Sequence, residues 1–362
     1  MILHSTSYFL HRHLLWFLVA AYILAVNSPG PGLWIRHISF GEIIILQKKT
    51  DISLLMAMLA ILMFNAGLGL KLTHLRNILQ IKYALLAGLT ANLVIPIIYI
   101  FCISIVMNHF WHNTLETQYI IVGLALVVSM PIAGSSTAWA QNANGNLVLS
   151  LGLVFFSTIF SPIVTPEAFH LFGEMASSEY ELVLQNLAAN GSGMFIGLWV
   201  VLPALLGFIA HLIISDSWQT KLLPYIKLIN CIVLVLLCYS NAAISLPQAI
   251  ANHNYNFLAV TLVISTGLCA ILFVAGYILG RIIKLNLADR VSLMFGLGMS
   301  NNATGLVFAS ILLSSYPTIM VPMIFYNLAQ HIAAGTLREI MNKKATKTLK
   351  LLIPAATTNQ RI

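Results

Sequence analysis

Two runs of small, hydroxyl and amide side chains interrupt long apolar stretches, and they are the residues best suited to do chemistry. The first is Pro131-Ile132-Ala133-Gly134-Ser135-Ser136-Thr137-Ala138-Trp139-Ala140-Gln141-Asn142, and the second is Gly296-Leu297-Gly298-Met299-Ser300-Asn301-Asn302-Ala303-Thr304-Gly305. Glycine and proline weaken the helical hydrogen-bond ladder, and Ser, Thr and Asn side chains can satisfy the groups set free. Unwound backbone at membrane depth presents carbonyl oxygens and half-helix ends, the construction by which discontinuous membrane helices hold ions and solutes. Ser135, Ser136, Thr137, Asn301 and Asn302 are the candidate polar groups. Their oxygens suit a hard cation, and half-helix N-termini favour an anionic group. The simpler reading is a pair of small-residue packing faces whose hydroxyls bond back to their own helices. One cluster alone fits that reading, whereas two at matched positions favour a binding site.

Other chemistry is poorly represented. A membrane-embedded enzyme needs a nucleophile with its base, a His/Asp metal set or paired carboxylates at depth, and the sequence offers none, so no catalytic residue is expected. Cys102, Cys231, Cys238 and Cys269 lie in apolar segments without C-x-x-C spacing and read as small buried hydrophobes. His211 and His331 have no carboxylate neighbour, which favours packing over proton relay. Trp139 can line a pocket or simply pack. Tyr326, Asn327 and Gln330 can face a cavity or join helices. Asn302-Ala303-Thr304 has glycosylation spacing but falls inside an apolar helix, so it is discounted.

These residues need membrane helices to position them. Of the 362 residues, 59% are hydrophobic and 8% charged, against about 25% charged in soluble domains. No soluble core could hide that much apolar surface, so lipid is the expected solvent. The net charge of +8 sits between apolar stretches, which reads as topogenic charge and argues against a nucleic-acid partner. A spanning helix needs about 20 apolar residues. Ten stretches qualify: 14–34, 52–70, 82–107, 118–141, 146–171, 193–215, 224–246, 256–282, 288–314 and 317–337. His11-Arg12-His13 before the first resembles a signal-peptide start, but Asn27 to Pro31 is a poor cleavage site, so this helix is expected to be retained.

The expected fold is therefore an all-α polytopic membrane protein, one membrane domain over 1–340 and a short basic cytoplasmic tail over 341–362. With both termini cytoplasmic, all of the 18 Lys and Arg except Arg36, Lys48 and Lys49 fall inside, as the positive-inside rule asks. The polar clusters fall in expected helices 4 and 9, five apart. That divides the chain into repeats over 14–171 and 193–337, and an odd number of helices per repeat makes them inverted.

Four stretches resemble the bile acid:sodium symporter family. Leu62-Met63-Phe64-Asn65-Ala66-Gly67-Leu68-Gly69-Leu70 with Leu75-Arg76 is similar to the segment closing the family's second helix. Pro131 to Thr137, Gly145 to Ser150 and Ser161 to Pro166 resemble its first crossing segment and the helix after it. Gly298 to Asn301 with Gly305-Leu306 resembles the second crossing, and Pro322 with Tyr326 to Gln330 resembles the last helix. The resemblance implies ten helices with the fourth and ninth broken and crossing. It also implies uptake of a small organic anion, such as a bile-acid-like or other carboxylate or sulfonate compound, driven by sodium. By position it implies that Ser136, Ser150 and Asn301 lie at or beside sodium sites, that Thr137, a further candidate sodium ligand, stands where the family has Asn and Ser300 where it has Gln, and that Asn92 lies near a Gln position. The family's ion-binding Glu falls on Gly296, and a Thr falls on Val154. Without that carboxylate a neutral site holds sodium through hydroxyl, amide and carbonyl oxygens alone. A proton-coupled or uncoupled carrier, or a channel-like protein on the same fold, is the alternative. The expected location is a plasma membrane of the bacterial inner-membrane type, and no cofactor other than sodium as a coupling ion is implied. The sequence does not determine the oligomeric state.

Overall fold

The computed structural model describes Phe9 and residues 13–45, 48–70, 81–111, 113–176, 178–251 and 254–352. Arg12, Lys71, Leu75, Arg76 and Arg361, used in the readings above, lie outside the described residues. The elements in chain order are α1 (Leu14–Asn27), α2 (Pro29–His37), β1 (Ser39–Ile45), β2 (Lys48–Ser53), α3 (Leu54–Leu68), α4 (Lys82–Phe110), α5 (Thr114–Ser129), α6 (Ser135–Asn142), α7 (Leu147–Gly173), α8 (Ser178–Asn190), α9 (Ser192–Ile196), α10 (Leu202–Ile213), α11 (Asp216–Ala251), α12 (Tyr255–Ile282), α13 (Leu287–Gly298), α14 (Asn302–Leu312) and α15 (Met320–Leu352). A π-bulge over Gly197–Val201 joins α9 to α10.

Helix starts follow local chemistry. Asn113, Asn146, Asn254, Asn286 and Asn301 each accept a first-turn N–H on the side-chain oxygen, and Ser53 does the same through its hydroxyl. Such caps satisfy N–H groups that the helix itself cannot.

Five helical stretches are long and apolar enough to cross a membrane: Lys82–Phe110, Leu147–Gly173, Ser192–Ile213, Lys221–Ala251 and Tyr255–Ile282. Large apolar side chains face outward, among them Ile163 at 69% and Val263 at 71% exposure, as lipid contact allows. Helices also occupy the other expected stretches, but they are short, broken or polar. The stretch 14–34 is not one helix. It breaks at Ser28, and α1 and α2 meet at 94°. Pro29 opens the new helix at its first turn, where a missing N–H costs nothing.

Residues 39–53, expected as a loop, form an antiparallel hairpin in which Ile45 pairs with Lys48 and Ser39 with Ser53. The all-α expectation is corrected there. Helix α8 was also unforeseen. It lays Tyr180, Leu184 and Leu187 on one buried face against α7. Helix α15 runs on to Leu352, well into the stretch expected as tail.

The two broken stretches lie at the centre of the molecule. Every residue from Ile120 to Ala133 and from Val291 to Asn302 is buried, so non-helical backbone is shielded from lipid, as it must be. Around them α1 packs on α11, α3 on α10, and α12 on both α13 and α15. The contact between α3 and α10 is backbone to backbone. A Cβ at Gly67 would lie 1.9 Å from the Ala204 carbonyl oxygen, and one at Gly207 would lie 1.9 Å from that of Phe64. Only glycine permits this approach, which seats α3 and α10 in direct backbone contact.

Candidate functional site

The α5 helix ends at Ser129 and α6 begins at Ser135, while α13 ends at Gly298 and α14 begins at Asn302. The two gaps cross. Ala133 N donates to Met299 O at 2.9 Å and Asn301 N to Pro131 O at 2.9 Å, so Ile132 and Ser300 face each other across one antiparallel rung. The remaining free donors are met by side chains. Ile132 N donates to Ser157 Oγ at 3.1 Å and Ser300 N to Gln330 Oε1 at 3.1 Å. Tyr326 OH donates to Gly298 O, and Gln330 leads through Asn327 to Tyr22. Each buried N–H left unpaired would cost about 1–3 kcal/mol, so these side chains set the shape of the crossing. Of the two readings open for Tyr326, Asn327 and Gln330, the hydrogen bonds favour joining over lining. Ser157 was not singled out in the sequence, because a lone serine in an apolar helix carries no pattern.

The sequence-selected residues divide into three groups. Some have their polar atoms engaged. Asn301 caps α14 through Thr304 N at 3.2 Å, and its amide reaches Met63 Sδ at 3.4 Å. Thr137 bonds back to Gly134 O at 2.8 Å. Ser300 is buried and its backbone N–H is taken by Gln330. A second group is buried without partners among the described residues: Ser136 Oγ, Ser150 Oγ and both amide atoms of Asn302 have none there. Thr304 Oγ1 joins this group and was not foreseen, since a threonine inside a helix usually bonds its own backbone. Buried polar atoms without partners call for an explanation, and a bound ion or solute supplies one. The third group stands apart. Ser135 is exposed, and Asn92 is half-buried on α4, with no hydrogen bond among the described residues linking it to the crossing. Its neighbour Ala91 does share an apolar cluster with Ile132.

Gly296, the position onto which the resemblance carries a glutamate, is walled by hydrocarbon. A Cβ on Gly296 would meet Leu153 Cδ1 at 2.8 Å, and Leu149, Leu153, Val154, Leu293 and Leu297 form one buried cluster there. The nearest buried carboxylate on this helix, Asp289, accepts Nδ2 of Asn146 and of Asn286, each at 2.7 Å. It is thereby committed to the helix ends.

A narrow pocket opens beside the crossing. Its walls come from α3 (Met63, Gly67), the crossing (Ile132, Gly134, Asn301), α7 (Phe155, Thr158) and α10 (Ala204, Phe208). Among the described residues Thr158 and Asn301 are the only polar side chains in the lining, and no charged residue lines it. Such a surface is largely apolar, with few polar groups to orient a solute. Trp139 does not line it. It lies against Gly335 and carries Arg338 5.9 Å above its ring. His211 Nδ1 is hydrogen-bonded with Leu68 O at 2.9 Å, a packing role. Among the described residues no group of three His, Cys, Asp or Glu could hold a metal ion.

Comparison with known proteins points the same way. The model of the sodium bile acid symporter family matches residues 56–252, more than half of the chain. The match includes the first gap, whose partner in the crossing, Met299 to Asn301, lies beyond it. The uncharacterized protein YbaS of Bacillus subtilis (strain 168) is 26% identical over 236 residues, covering 63% of this chain and 71% of that protein. The uncharacterized sodium-dependent transporter YocS of the same organism is 22% identical over 293 residues, covering 80% and 83%.

Proposed function

The chain belongs to the sodium bile acid symporter family, and from that premise we propose that it is a sodium-coupled carrier of a small organic anion. It is an integral membrane transporter rather than an enzyme. The observation that carries the reading is the antiparallel rung between Ile132 and Ser300, which joins two broken helices beside an apolar cavity. Backbone crossing at depth presents two half-helix N-termini, α6 and α14, to one place, and these favour an anionic group. Ser136, Ser150 and Asn302 supply oxygens without partners among the described residues, the ligand type that sodium takes. Ser135, Thr137, Ser300, Asn301 and Asn92 complete the proposed set. The apolar walls suit the body of a bile-acid-like or other hydrophobic carboxylate or sulfonate.

The proposed architecture is ten helices in two inverted halves with both termini cytoplasmic, in a plasma membrane. The reciprocal packing of α1 on α11 and α3 on α10 supports it, because inverted repeats pair their helices in this crosswise manner. Leu153 against Gly296 favours one further reading, a carrier coupled to protons or to no ion, since a site without carboxylate attracts a cation less strongly.

The test is uptake of labelled taurocholate, benzoate and pyruvate into proteoliposomes under inward sodium, inward proton or no gradient. Accumulation driven by sodium upholds the proposal. Proton-driven or gradient-independent flux replaces the coupling ion while keeping the carrier. Absence of flux for every anion overturns it.

A further inference from the structure

A second polar site lies on the far side of the crossing from the cavity. Arg36, near the end of α2, donates from Nη1 to Asn241 Oδ1 at 3.1 Å and from Nη2 to the Ser310 carbonyl at 2.7 Å. Both partners are neutral, and among the described residues no carboxylate pairs with this guanidinium. Asn241 is fully buried, and its Nδ2 has no partner among the described residues. Two observations therefore coincide: a half-buried cation without an anion, and a buried amide donor beside it without an acceptor.

The position is fixed by the helices. Two residues after Arg36, Ile38 O accepts from Leu54 N, at the start of α3. The cavity touches Gly67 at the other end of that helix, roughly 20 Å along its axis. Likewise Ser310 lies nine residues along α14 from Asn301, which lines the cavity, or roughly 13 Å. The crossing therefore separates the cavity from Arg36. An alternating-access carrier needs a place to receive its substrate on each side, and the pocket serves one of them.

We infer that Arg36 and Asn241 form an anion-binding station on the face opposite the cavity. In this conformation Arg36 holds that face shut by bridging α2 and α11 to α14. When the face opens, Ser310 O is released and the guanidinium fork takes a carboxylate or sulfonate oxygen pair, with Asn241 Nδ2 as an added donor. Arginine presents five N–H groups in a plane that matches such anions, and among the described residues two are engaged. This rests on the proposed organic-anion carrier.

The alternative is a tether, with Arg36 merely capping the last turn of α14. Asn241→Asp separates the two. A carboxylate there pairs permanently with Arg36, which strengthens a tether but blocks an anion site. Initial uptake of taurocholate, benzoate and pyruvate is measured in proteoliposomes, with thermal unfolding in detergent as the check on folding. The expected result is at least a tenfold rise in KM for Asn241→Asp and for Arg36→Gln, with Asn241→Asp melting no lower than the wild type. Wild-type KM in Asn241→Asp overturns the station and leaves the tether. If Arg36→Gln fails to fold, Asn241→Asp decides, since it retains the cation. If both fail, Arg36→Lys decides, because it keeps the charge and loses the fork, and an unchanged KM overturns the station. A wild type that accumulates none of the three anions overturns the carrier itself, and the station with it.

Discussion

Removing the hydroxyl of Ser136 or Ser150 should stabilise the protein and disable it. Both side chains are almost fully buried, at 1% and 2% exposure, and neither Oγ has a partner among the described residues. A buried hydroxyl without a hydrogen bond costs about 1–3 kcal/mol, and alanine is better in a helix by up to about 0.5 kcal/mol. The single missing oxygen leaves almost no cavity, so nothing large offsets the gain. Without sodium, Ser136→Ala and Ser150→Ala should each unfold about 1–2 kcal/mol harder than the wild type. Sodium closes most of this gap if these oxygens bind it. At ten times its Kd it stabilises the wild type by about 1.4 kcal/mol through mass action, and the variants lose that increment together with uptake. The assay is thermal unfolding in detergent over a sodium series against a choline control, paired with proteoliposome uptake. Variants that gain stability yet keep both the full sodium increment and wild-type uptake would refute the site, leaving Ser136 and Ser150 as packing residues.

Three further outcomes are expected. Asn301→Ala should cost about 1 kcal/mol through the lost cap on α14 while Asn301→Ser, which can still cap, costs a few tenths; both should lose uptake, and normal uptake in Asn301→Ser would reduce Asn301 to a capping residue. Gln330→Leu should destabilise by about 1–3 kcal/mol by stranding the Ser300 N–H and should slow uptake by loosening the crossing, read by melting and initial rates. Gly207→Ala should destabilise by about 3 kcal/mol or more, because its Cβ would meet the Phe64 carbonyl oxygen at 1.9 Å and backbone cannot yield as a side chain does; a wild-type melting curve would show that α3 and α10 are not locked.

Family membership was legible in scattered short motifs, and the helical character in hydropathy, because lipid imposes length and apolarity on any segment that crosses it. The helix breaks were legible too. Pro131 cannot donate to a ladder, Gly298 weakens one, and Asn301 is a residue type that starts the next helix. Local chemistry acts within a turn or two, so it can be read from neighbours in the chain. The break at Ser28 was spelled out by Ser28-Pro29-Gly30-Pro31 and was still read as the end of a span, because hydropathy is blind to a change of direction. Arg36 was read only as a charge that sets topology.

What the sequence determined by itself was where the backbone would be helical, where it would break and which side chains could act there. The tertiary structure alone decided that the two gaps pair with each other through Ala133 and Asn301. It also decided that Leu153 occupies the space at Gly296, that Gln330 closes the crossing, and that Arg36 meets Asn241 and Ser310. Each of these joins residues far apart in the chain. Such contacts follow from how whole helices pack, and packing depends on every neighbour at once.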